Sequence, residues 1–79
     1  MLNLVRTKIS YSHLRKVCLD EIRQWPGCET VAGLQLVRDN TPSGFSLNIT
    51  LYGQADRKTA DRARLYVERT NRRRYRLSE

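Results

Sequence analysis

The sequence predicts a two-layer α+β domain of order (β)-α-β-β-α, with two helices on one face of a two- or three-stranded antiparallel sheet. Three observations predict it. Apolar residues recur at helical spacing from Leu14 to Trp25, they alternate with polar residues from Phe45 to Tyr52, and a stretch free of Gly and Pro follows Asp56.

The 79 residues make one domain, 1–79, close to the size at which a single core barely suffices. A chain this short buries only about 60–65% of the surface its unfolded form exposes. Its apolar residues are mostly aliphatic, so dimerisation would be a natural supplement to the core.

At the N-terminus, Val5, Thr7 and Ile9 alternate with Leu4, Arg6 and Lys8, which makes 1–9 either an edge strand or an extended arm. Ser10 and Ser12 offer hydroxyl caps. Leu14, Val17, Cys18, Ile22 and Trp25 then share one face of a helix over about 12–25, opposite Arg15, Lys16, Asp20, Arg23 and Gln24. Pro26-Gly27 stops it. Leu34 and Leu36 mark a short strand, about 33–38, and Asp39 to Gly44 is a dense cluster of turn formers. Phe45, Leu47, Ile49 and Leu51 alternate with Ser46, Asn48, Thr50 and Tyr52, a strand with one buried and one polar face. The two strands read as a hairpin with a loop of about six residues, and the polar outer face argues for antiparallel pairing covered on one side. Asp56 is the expected N-cap of a last helix running to about Leu77, some 20 residues and about 30 Å, with 77–79 a frayed tail.

Several function classes are not supported. No apolar run approaches the roughly 20 residues that span a bilayer, and the first residues lack the apolar core of a secretory signal, so a cytoplasmic protein is expected. Cys18 falls on the apolar helix face as a small core hydrophobe, whereas Cys28 follows Pro26-Gly27 in a loop and is expected to be exposed. Two Cys and the single His13 leave a tetrahedral metal site short of ligands. Asp20 and Glu21 are neighbours that point about 100° apart on a helix and do not converge. No nucleophile pairs with His13, and no Gly-rich phosphate loop is present. Neither an enzyme nor a cofactor is expected.

The informative feature is charge. Residues 1–56 carry six Lys/Arg and five Asp/Glu, a balance of +1, while 57–76 carry nine Lys/Arg against Asp61 and Glu68, a balance of +7; Glu79 returns the total to +7. On a helical projection, Ala60, Ala63, Val67 and Thr70 share one side with Asn71 and Tyr66 at its margins. Opposite them, Lys58, Arg62, Arg69, Arg72, Arg73 and Arg76 fall within an arc of roughly 100°, with Leu65 among them. Arg57 and Arg64 flank the buried side. In this segment Arg outnumbers Lys eight to one, which favours planar, bidentate recognition of phosphates or carboxylates.

Two stretches carry resemblances. Gly53-Gln54-Ala55-Asp56-Arg57-Lys58-Thr59-Ala60 resembles the opening of the last helix of double-stranded-RNA-binding domains, which implies phosphate contacts for Arg57 and Lys58. That family needs three strands between its helices, and the residues between Trp25 and Gly53 comfortably hold two. The run from Phe45 through Gly53, Asp56, Ala60 and Arg62-Ala63 to Arg74-Tyr75-Arg76-Leu77 is similar to small uncharacterised proteins of alphaproteobacteria. That likeness implies a bacterial cytoplasmic protein and no particular chemistry.

The expected function is therefore a small basic binding module that contacts nucleic acid or another polyanion through Lys58, Arg62, Arg69, Arg72, Arg73 and Arg76. The competing expectation is a homodimer or protein-interaction module. It would use the Leu65/Tyr66 surface or a free edge of the short sheet, with the charge merely solvated. Tyr52 is either a solvent-facing strand residue or a base-stacking one.

Overall fold

Residues 6–78 are described by the computed structural model. The order is β1 (Thr7–Ile9), α1 (Tyr11–Arg23), β2 (Gly33–Arg38), β3 (Phe45–Leu51), α2 (Arg57–Arg74) and β4 (Tyr75–Leu77). The α+β class and the central α-β-β-α order agree with the sequence reading. The sheet layout differs in part: β2 and β3 form an antiparallel ribbon, while β1 and β4 form a separate parallel pair. The part of the expected first strand that precedes Arg6 lies outside the described residues.

Helix α1 begins where Ser10 Oγ accepts from His13 N at 3.3 Å. It buries Leu14, Cys18 and Ile22, one stripe at successive helical turns. Val17 and Trp25, expected on that face, are half-buried, and Trp25 lies beyond the helix end. The ribbon contributes Leu34, Leu36, Phe45, Leu47 and Ile49, and α2 contributes Ala60, Ala63 and Val67. The two alanines let the α2 backbone approach the core closely. Between α1 and β2 the chain turns inward, so that Cys28 and Val31 are fully buried. This corrects the exposed loop expected for Cys28. Burial raises its pKa, with a further push from Glu29. Burial, then Glu21 and Glu68, push the Cys18 thiol up to about 12. Burial thus disfavours the thiolate form at both. Gly53 fits where no other residue would, since its φ is +64° and a Cβ there would strike the Thr30 carbonyl.

Helix α2 ends earlier than its sequence suggests. Tyr75 adopts an extended conformation (φ −130°, ψ 153°), and Tyr75–Leu77 pairs in parallel with Thr7–Ile9. Leu77 N donates to Ser43 O at 3.0 Å, and both N and Oγ of Ser78 donate to Ile9 O at 3.0 Å. Leu77 and Ser78, expected to fray, are thus tied to both ends of the fold, while Glu79 lies outside the described residues. Arg6 Nε also donates to the carbonyl of Arg72 at 2.6 Å. That carbonyl is one of the orphan acceptors of the last helical turn, and a cation beside it also suits the helix dipole.

Candidate nucleic-acid interface

Helix α2 sits beside β3 as well as beneath the ribbon, and this placement sorts its charged side chains into two strips. The N-cap is Asp56, whose carboxylate accepts from Thr59 N at 3.1 Å, as the sequence implied. From there the strip facing β3 runs through Asp61, Arg64, Glu68 and Arg72, each about one turn from the next.

These side chains meet backbone groups that point away from β2. Glu68 Oε2 accepts from Leu47 N at 2.7 Å, Arg64 Nη1 donates to Leu47 O at 3.3 Å, and Arg72 Nε donates to Phe45 O at 3.0 Å. Beyond the strand end, Tyr52 OH donates to Asp61 Oδ1 at 2.8 Å. That bond raises the Tyr52 pKa, with burial adding to it. The helix thereby supplies the donors and acceptors that a third strand would have supplied. Helix α1 does the same on the other edge, where Arg15 Nε donates to Leu34 O at 2.7 Å and Tyr11 OH to Leu36 O at 3.4 Å. At these five groups the ribbon edges are already occupied.

The signs along the strip are matched. Arg64 lies 3.6 Å from Glu68, and Arg72 Nη2 lies 3.1 Å from Asp39 Oδ2. Asp39 is itself anchored. Hydroxyls of Ser46 and Thr41 donate to its carboxylate, and Thr41 N donates at 3.0 Å. Those hydrogen bonds, Ser46 first, hold its pKa down to about 2 against a small opposing effect of burial, with Arg72 assisting. Arg72 therefore closes a network across the mouth of the hairpin.

The outward arc is different. Lys58, Arg62, Arg69 and Arg73 are exposed on α2, and Arg76 is exposed on β4. None of these five has an ion pair among the described residues. Leu65 and Tyr66 are exposed on the same side, at 44% and 59%. Arg57 at the N-terminal end lies over the Tyr52 ring, 4.8 Å from its centroid. Tyr52 is thus engaged at both its ring and its hydroxyl.

Of the six cations expected to act together, five are exposed, four on α2 and Arg76 on β4, and Arg72 is not. Arg72 is half-buried and turned toward Asp39 because the buried arc of α2 extends to the β3 edge, beyond the apolar face that the alanines define. Arg76 keeps its exposure but leaves the helix. Sequence reasoning missed the burial of Glu68, and it placed Asn71, which is fully buried, only at the margin of the buried side. Asn71 Nδ2 donates to Glu21 Oε1 at 2.8 Å and to Val67 O at 2.9 Å. A signal for Glu68 was present: Arg64, Glu68 and Arg72 alternate in sign at i,i+4, the pattern of a structured strip. Helical phase put Asn71 at the margin of the buried side but gave no sign of its partner, which lies fifty residues away.

Among the described residues, no group of three or more His, Cys, Asp or Glu is placed to hold a metal ion, and no helix is long and apolar enough to cross a membrane. The chain matches no protein-family model, no curated protein and no solved structure.

Proposed function

We propose that this protein binds the phosphate backbone of nucleic acid through Lys58, Arg62, Arg69, Arg73 and Arg76. One observation carries the reading. Within the same helix, Arg64, Arg72 and Arg74 each have a carboxylate partner, whereas the outward cations have none among the described residues. Like charges at i,i+4, such as Arg69 and Arg73, repel one another and destabilise a helix by some tenths of a kcal/mol per pair. An anionic ligand removes that cost, and guanidinium groups bind its oxygens in bidentate fashion.

A titration of labelled single-stranded and duplex oligonucleotides at several salt concentrations tests this. If all five cations neutralise phosphates, log K falls against log[salt] with a slope approaching about −3.5 for single strands and about −4.5 for duplex. An absence of binding at low salt overturns the proposal. A second reading rests on Leu65 and Tyr66, whose exposed apolar surface suits a homodimer or a protein partner. Sedimentation at high micromolar concentration separates the two: a dimer that forms independently of nucleic acid supports the second, and a monomer weakens its homodimeric form.

A further inference from the structure

The geometry points to a nucleobase-binding groove beside the basic arc, which would make single-stranded nucleic acid the ligand; this rests on the phosphate-binding reading above. An open groove of about 410 Å³ lies between the C-terminal end of α1 and the C-terminal half of α2, lined among others by Glu21, Gln24, Trp25, Tyr66, Thr70 and Arg74. The Trp25 and Tyr66 rings meet edge to face there, centroids 5.6 Å apart and planes at 61°. Tyr66 is exposed, and a strand bound on the arc therefore finds aromatic surface next to it.

Helical spacing joins the groove to the arc. Tyr66 is four residues after Arg62 and three before Arg69, and Arg73 is three after Thr70, so each cation is one turn from a groove residue. Phosphates held by Arg62, Arg69 and Arg73 place the attached bases beside Tyr66. The floor of the groove selects base over phosphate. Glu21 is fixed there by Asn71 Nδ2 at 2.8 Å and by Arg74 Nη1 at 3.3 Å. A carboxylate accepts hydrogen bonds from the N–H groups of a base edge and repels a phosphate. It also occupies Arg74, which keeps that arginine from capturing phosphate in place of the arc. Bases inside a duplex are paired and stacked and cannot enter, whereas unpaired bases stack on aromatic rings.

Trp25 is the only tryptophan of the chain, so its fluorescence reports on the groove directly. The test titrates the full chain with a short mixed-sequence single strand and with the matching duplex at low salt. The expected result is Trp25 quenching of roughly twofold by the single strand and little by the duplex. Tyr66→Ala should weaken single-strand affinity about tenfold or more and leave duplex affinity within about twofold. Tyr66→Phe, which keeps the ring, should behave as the parent, and Arg69→Gln should weaken both ligands. Single-strand binding with unchanged Trp25 emission and no effect of Tyr66→Ala overturns the groove while leaving the basic arc standing. Failure of both ligands to bind overturns the two readings together. Trp25 emission that changes with protein concentration alone, with dimers in sedimentation, assigns the groove to a second copy of this chain and also overturns the proposal.

Discussion

On the strip of α2 that faces β3, Arg64, Glu68 and Arg72 alternate in sign and each meets a partner on the ribbon. On the outward arc, about a quarter turn away, Lys58, Arg62, Arg69 and Arg73 share one sign and meet no carboxylate among the described residues. Arginine stands on both. What differs is the surroundings: inward, an arginine without an acceptor would be half-buried and only partly hydrated, which costs free energy. Outward, water solvates the charge and the only penalty is mutual repulsion, which a polyanion relieves. One helix thus carries arginines that are paired within the fold and arginines that, among the described residues, face solvent.

The largest test of this division is Glu68→Ala. It strands the buried Leu47 N–H and leaves the half-buried Arg64 guanidinium without its carboxylate, so stability should fall by about 3 kcal/mol. That is a large share of the roughly 4–12 kcal/mol expected for a domain of this length. Thermal unfolding should shift down by more than about 10 °C, while oligonucleotide affinity, measured below the transition, should stay within about twofold. A substitution on the outward arc should do the reverse. The triple variant Arg62→Gln, Arg69→Gln and Arg73→Gln should lose about 100-fold in affinity at low salt and reduce the single-strand salt slope by about 2. Its unfolding midpoint should hold steady or rise, because repulsion is removed.

Asp39→Asn probes the inward network at its exposed end and should cost about 2 kcal/mol at neutral pH. Its pH dependence has a definite sign. The folded-state pKa of Asp39, about 2, lies below the roughly 3.9 of an unfolded aspartate. Its stabilising contribution is therefore complete above about pH 4 and is lost as pH falls toward 2. The stability gap between parent and variant should be widest at pH 7 and close across that acid window, which denaturant titrations at a series of pH values would measure. The smallest expected effect concerns salt. Going from about 50 to 200 mM should weaken single-strand binding about 100-fold. It should barely move the unfolding midpoint, because the Arg64–Glu68 pair is shielded from counterions and solvent-exposed charges are not.

The central elements were legible from local pattern. The strand Phe45–Leu51, the Asp56 cap and the buried trio Leu14, Cys18 and Ile22 all follow from periodicity and capping chemistry. Those signals are carried by residues within one or two turns of each other. The exposure of the cations was legible to the same extent, since helical phase separates Lys58, Arg62, Arg69 and Arg73 from the buried side. Arg72, which turns inward, shows the limit. Helical phase says which side chains share a direction, and the neighbour found in that direction is Asp39, thirty-three residues back.

The sequence by itself determined the two helices, the hairpin and the concentration of positive charge after Asp56, because each depends on short-range spacing and on counting. Only the tertiary structure decided that α2 would lie against the β3 edge and neutralise part of its own charge there. It also decided that Tyr75–Leu77 would leave the helix to pair with Thr7–Ile9, and that Cys28 would turn inward. Each of these depends on partners distant in the chain, since a buried polar group or an open strand end is satisfied by whatever the fold brings beside it, which local periodicity does not encode.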